Sequence, residues 1–185
     1  MPANQKIDVI PVPVVPFPPV IQQVIQHLCS WPFEYSYISR LLQSDIPQRM
    51  QRGRAGIFLY TDVNREVIGF GTIDVCLDYK YLTGNRPHPH IPLIAVRPDL
   101  RGKGIGTLIV KHLIGEALLR ASWPGLNCYQ AVFLEVYTDN SAGIRTYQKN
   151  GFENLSDEPS YDTEEKKNYF IMVRSLSIAP EQGIA

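Results

Sequence analysis

Cysteine is scarce in this 185-residue chain: Cys29, Cys76 and Cys128 are far apart, odd in number, and form no CxxC pair. That pattern excludes a disulfide framework and offers no spaced structural zinc motif. No charge sign dominates. Eighteen basic and eighteen acidic residues cancel to a formal net charge of zero, which removes the electrostatic case for a dedicated nucleic-acid or membrane-surface binder. No apolar run approaches the roughly 20 residues that cross a bilayer. Residues 9–20 are apolar, but prolines at 11, 13, 16, 18 and 19 interrupt them and one cation, Lys6, precedes them. A signal-peptide core does not read that way, so a cytoplasmic location is expected. With 44% hydrophobic and 19% charged residues, the composition is globular and the length suits one core.

Residues 1–20 read as a proline-rich arm with two PxxP matches, Pro13–Pro16 and Pro16–Pro19. Such a stretch suits either an SH3-type ligand or a stiff arm packing its valines on the domain. A single domain is expected over 21–176, followed by a tail at 177–185. Val20 to Leu28 and Tyr35 to Met50 read as helices, punctuated by Pro32 and Pro47. Gly56 to Val63 and Glu66 to Leu77 form a predicted hairpin, with turn chemistry at Asp62–Asn64. Ile91 to Val96 and Ala131 to Tyr137 are nearly all apolar, as strands buried on both faces are. Between them a helix is expected from Gly104 to Ser122. Its polar side would carry Thr107, Lys111, His112, Glu116 and Arg120. Strand, helix, strand with two buried strands is a βαβ crossover, hence a parallel pair. A helix from Ser141 to Lys149, ended by Gly151, and a last strand, Asn168 to Val173, complete an α/β mixed sheet.

The chemistry concentrates at residues 96–106, V-R-P-D-L-R-G-K-G-I-G. Gly102, Gly104 and Gly106 let backbone N–H groups approach a ligand, and a helix N-terminus gathers such groups into an anion site. Arg101 and Lys103 add full charges. A diphosphate is the natural guest. The two commoner phosphate motifs fail on spacing: Lys103 is followed by Gly104 where a P-loop needs Ser or Thr, and the third glycine of G-x-G-x-x-G would fall on Thr107.

R-G-K-G-I-G with V-x-P upstream resembles the [RQ]-x-x-G-x-[GA] motif of the GNAT superfamily of N-acetyltransferases. Asp139-Asn140-Ser141-Ala142, then Tyr147, Lys149, Gly151 and Phe152, is similar to the family's N-x-x-A-x-x-x-Y-x-[KR]-x-G-F signature, with the alanine one place early. The resemblance spans about 56–175. It implies a GNAT-like fold in which two parallel strands splay apart, and acetyl-CoA or another acyl-CoA as co-substrate in that cleft, without a metal. Pantetheine would pair with backbone groups of Ile94, Ala95 and Val96. The diphosphate would sit on Arg101, Gly102, Lys103, Gly104, Ile105, Gly106 and Thr107, and Asn140 would bond the pantetheine arm. Tyr147 would give the thiolate leaving group its proton, a role a phenol can fill.

Relatives often carry a glutamate base on the strand before the diphosphate loop, and this strand has no carboxylate. His90, six residues before Val96, resembles a histidine position of arylalkylamine N-acetyltransferases. Period two puts His90, Pro92, Ile94 and Val96 on one face, and imidazole titrates near neutrality. Surface histidines at a hairpin end are the plainer alternative, with Asp74 and Asp78 as other bases. As a metal pair, His88 and His90 lack an evident third ligand. The implied reaction is acetyl transfer to a primary amine, from a small molecule or peptide. Trp31 to Tyr37, Tyr79 and Tyr81 offer aromatic walls, and Glu153 to Glu165 carries six carboxylates that would attract an ammonium. A non-catalytic acyl-CoA-sensing module is the alternative, favoured if His90 lies away from the cleft with no other base. A tRNA-acetylating toxin of the same fold needs a basic surface that zero net charge does not supply. No nucleic-acid or membrane partner is expected, and a homodimer stays open.

Overall fold

In the computed structural model the described residues are 7–11, 48, 54–122 and 127–176. The two helices expected before residue 51, the aromatic segment Trp31 to Tyr37, and the tail lie outside them, as does the Tyr81 side chain. Eight strands form one sheet: β1 (Asp8–Pro11), β2 (Ala55–Thr61), β3 (Val67–Cys76), β4 (His88–Val96), β5 (Ala131–Tyr137), β6 (Glu153–Asn154), β7 (Ser160–Asp162) and β8 (Lys167–Ser175). Their order is β1-β2-β3-β4-β5-β8-β6, with β7 also on β8. The helices are α1 (Lys80–Thr83), α2 (Ile105–Ala121) and α3 (Ser141–Lys149). No helix among the described residues is long and apolar enough to cross a membrane.

The first part of the proline-rich arm belongs to the sheet, because Asp8–Pro11 pairs antiparallel with β2. The rest of the arm is outside the described residues. β2 and β3 form the expected hairpin. Its turn is tied by Asp62, whose Oδ1 accepts from the Asn64 and Glu66 amides. β4 and β5 are parallel, joined through α2. The loop expected near 79–89 contains α1, and the acidic run after Phe152 supplies β6 and β7.

The core lies between the sheet and α2, where Ile109, Val110, Leu113 and Ala117 are fully buried. The helix comes close because β3 carries glycines beneath it. A Cβ at Gly69 would stand 2.8 Å from Ile109 Cδ1, and one at Gly71 would stand 2.8 Å from Leu113 Cδ1. The expected polar side of α2 needs correction. Arg120 is only 8% exposed and stacks over Phe58, while Leu108 and Leu119 face outward. Burial is tolerated because Glu116 accepts from Arg120 and Tyr60 bonds His112 Nδ1 at 2.8 Å, so these polar groups keep partners.

A second correction concerns β4. Thr72 pairs with Leu93 but Asp74 pairs with His90, so one β3 residue opposes Ile91 and Pro92 together. Proline has no N–H for the ladder, and a bulge is where a strand accommodates it. The extra residue shifts the parity of everything beyond it. Ile91, Ile94 and Val96 all pack into the core under α2, whereas His90 contacts Tyr79, its ring centroid 5.9 Å away. His90 therefore does not share the face of Ile94 and Val96.

The glycine contacts give a direct test. Gly71→Val should overpack the sheet–helix interface and cost roughly 1–3 kcal/mol, seen as a lower midpoint in thermal or urea unfolding. A midpoint equal to that of the parent protein would mean α2 is free to lift off β3.

Candidate active site

Parallel pairing between β4 and β5 is recorded at one register position, His90 with Phe133. Beyond it the strands part. The β4 residues 94–96 still pair with β3 on one side, and on the other they border a cavity of about 580 Å³. The cavity brings together Ile94, Ala95, Val96, Arg101, Gly102, Gly104, Ile105, Gly106, Thr107, Asn140 and Tyr147. These are two sequence segments, one on each side of β5, expected to meet at one ligand.

Each segment is shaped by local backbone requirements. A short 3-10 turn, Pro98–Leu100, carries the chain from β4 into the glycine loop. Gly102 has φ +76° and Gly104, the N-cap of α2, has φ +84°. Both values lie in the left-handed region that glycine occupies without a Cβ penalty. Gly106 is different. A Cβ there would meet only Val96 Cγ2 at 3.8 Å and Thr146 Cγ2 at 4.0 Å, so the fold does not demand glycine and the space belongs to the cleft. At α3, Asn140 is the N-cap and its Oδ1 accepts from the Gly143 amide at 2.9 Å. That bond uses the oxygen, which leaves the amide NH₂ as the group available to a ligand.

The charges around the cavity differ from expectation in one respect. Lys103 is not among its lining residues, and its ammonium donates to the Asp99 carbonyl at 3.3 Å. Arg145 and Lys149 of α3 line the cavity instead. Helical spacing of four places them on one side, which only the docking of α3 turns toward the glycine loop. Tyr147 is half-buried and edge-on to Phe152 at 6.1 Å. Burial pushes its phenol up to about 12, so it remains a proton donor across the physiological range.

The opposite face of the sheet carries a second set of titratable groups. His90 is 7% exposed, outside the cavity lining, with Nδ1 3.4 Å from Asp74 Oδ1. Burial works against its imidazolium, but the Asp74 carboxylate, with Glu135 and Asp78 adding to it, leaves the group raised above its ordinary value. Glu135 was missed in the sequence, where AVFLEVY reads as a strand buried on both faces. It is the exposed position of β5, two residues past the last paired one, and period two sets it on the face of Phe133 at the gap. Tyr79 donates to its Oε1 at 2.6 Å. Burial and then Glu135 push the Tyr79 phenol far up, so it stays a donor. Tyr137 likewise donates to Asp162 Oδ2 at 2.6 Å, which turns one carboxylate of the acidic run onto the sheet.

Comparison with known proteins agrees with this fold. Residues 22–152 match the Acetyltransferase (GNAT) family. The mycothiol acetyltransferase of Saccharomonospora viridis is 32% identical over 106 residues, 57% of this chain and 32% of that protein. The chain spans about a third or less of the length of the curated relatives it matches. The Escherichia coli ribosomal-protein-S18-alanine N-acetyltransferase has the same fold, with a TM-score of 0.60 and 22% identity over 97% of this chain and all of that one. An acetyltransferase of the GNAT family from Streptococcus pneumoniae gives a TM-score of 0.64 at 14% identity, covering 93% of this chain and 100% of that one.

Two substitutions separate ligand contacts from folding. Gly106→Ala should leave the unfolding midpoint unchanged or raise it, since alanine outdoes glycine in a helix by up to ~1 kcal/mol, while CoA binding in calorimetry weakens. Arg101→Ala should cost roughly 1.5–3 kcal/mol of CoA affinity, the range for a charge-assisted hydrogen bond. Unchanged affinity in both would move the ligand off this loop.

Proposed function

Because the chain belongs to the Acetyltransferase (GNAT) family, we propose that it transfers acetyl from acetyl-CoA to a primary amine by direct attack, in one complex with both substrates. The observation that carries this reading is the gap between β4 and β5. It opens after one register pair and is flanked by the glycine loop, the Asn140 cap and Tyr147. The pantetheine arm would bond the backbone of residues 94–96 and the Asn140 amide. The diphosphate would take the N–H groups at the start of α2, with Arg101 and Arg145 supplying charge.

The thioester would then lie in the gap, with Tyr147 beside its sulfur. The amine attacks the carbonyl from the far face, the C–S bond breaks, and the phenol protonates the departing thiolate. The attacking amine must lose a proton. Glu135 is the group we assign to this step, directly or through water, because it is exposed at the gap and oriented by Tyr79. His90 is the other reading, supported by its place at the last paired position. Its burial taken alone would favour a sensing module without catalysis. The exposed carboxylate across the gap supports an enzyme instead.

The test is release of CoA thiol from acetyl-CoA in the presence of a panel of amines, for the parent protein and three variants. Tyr147→Phe keeps the ring and removes the proton, so turnover should fall by ~10²–10⁴ while the KM for acetyl-CoA changes little. Glu135→Gln should lower turnover, with His90→Gln affecting it less; the reverse order would make histidine the base. With the Tyr147 phenol pushed up to about 12, activity should show no falling alkaline limb below about pH 10. Turnover unchanged in Tyr147→Phe would return that residue to the core.

A further inference from the structure

We propose that Asp74, Cys76 and His90 form a binding site for a zinc-type divalent transition metal, with His88 as the hydrogen-bond partner of the Cys76 sulfur. The acetyl transfer assigned above to Tyr147 and Glu135 does not use this group, so the two readings stand or fall separately.

The antiparallel register sets Asp74 opposite His90 and Cys76 opposite His88. Residues two apart in a strand share a face, so D-x-C on β3 and H-x-H on β4 make a two-by-two patch. All four side chains are buried. One ligand atom from each of Asp74, Cys76 and His90 lies within 4.8 Å of the other two. In a tetrahedral zinc site with bonds of about 2.0–2.3 Å, ligand atoms stand roughly 3.3–3.7 Å apart. The Asp74 Oδ1 to His90 Nδ1 separation, 3.4 Å, is such an edge. His90 Nδ1, the atom of that edge, is buried and makes no hydrogen bond of normal geometry among the described residues, which a purely structural polar cluster would avoid.

The donor set also fits. Thiolate, carboxylate and imidazole are the sulfur, oxygen and nitrogen ligands that zinc accepts. A thiolate and a carboxylate balance a dication, so the buried site would hold no net charge. His88 Nε2, 3.3 Å from Cys76 Sγ, would donate to the ligating sulfur, as outer groups around a metal commonly do. Water would fill the fourth position. Cys76 ends β3 and His88 begins β4, so the cluster sits at the end of the strand pair, where the Tyr79 ring packs against both histidines. An ion bound there ties β3 to β4 next to the position where β4 leaves β5.

Cobalt(II) is the probe, since its thiolate complexes absorb in the near-ultraviolet. Titrating the full chain with cobalt should give a one-to-one endpoint with a thiolate charge-transfer band that zinc abolishes by displacement. Zinc should also raise the unfolding midpoint, because a ligand that binds only the folded state stabilises it. Cys76→Ser should remove the band and weaken zinc binding at least about tenfold, as loss of a ligand or of its outer partner does, while Cys128→Ser changes neither. Should Cys76→Ser fail to fold, His90→Gln provides the same measurement through the loss in affinity. Absence of stoichiometric cobalt binding would overturn the site. So would a charge-transfer band that survives Cys76→Ser and vanishes with Cys29→Ser or Cys128→Ser.

Discussion

Two parallel strands that pair once and then separate leave backbone groups facing a gap, and the rest of this molecule is arranged around that gap. β4 keeps its antiparallel ladder with β3 through Val96, while β5 keeps a seven-position ladder with β8. Each strand is held from outside, so the two can part without the sheet falling into halves. The crossover α2 bridges them on one face and fills the core beneath. Buried N–H and C=O groups need partners. An amide-bearing chain threaded between the strands is the kind of ligand that supplies them.

The gap also divides the chemistry by face. Cations, helix N-termini and the Tyr147 phenol gather on the α2 side. Glu135, Tyr79 and His90 lie on the other. The bulge at Ile91–Pro92 strengthens the division, because it sends Ile94 and Val96 toward α2 while leaving His90 behind. A proton donor for a leaving group and a proton acceptor for a nucleophile are best kept apart, since adjacent they would neutralise each other. In the proposed reaction the sheet stands between the Tyr147 donor and the Glu135 acceptor.

The electrostatics follow the same plan. A net charge of zero hides a local asymmetry, with Arg101, Arg145 and Lys149 at the cavity and carboxylates of Glu135 and Asp162 tied by tyrosine hydroxyls on the sheet's far face. A polyanionic co-substrate and a cationic amine would therefore approach from opposite sides. Fields of this kind act over about a Debye length and steer encounter more than they add affinity.

Much of this was legible in the residues. The glycine loop, the Asn140 cap and the Tyr147 motif are local signals, each written in fewer than fifteen consecutive positions, and local backbone physics is what a sequence states most directly. Ala131–Tyr137 and Ser141–Lys149 keep their expected bounds for that reason. Tertiary structure decided what depends on register and docking. The face on which His90 lies follows from one extra residue opposite Ile73, a fact of pairing between distant strands. The cations at the cavity follow from how α3 docks, which replaced Lys103 by Arg145 and Lys149. Glu135 gained its place because β5 loses a neighbour at the gap, and Asp74 and Cys76 joined the two histidines because antiparallel pairing brings residues more than ten apart within contact. Local chemistry belonged to the chain alone, and only folding could say which pieces of it would face one another.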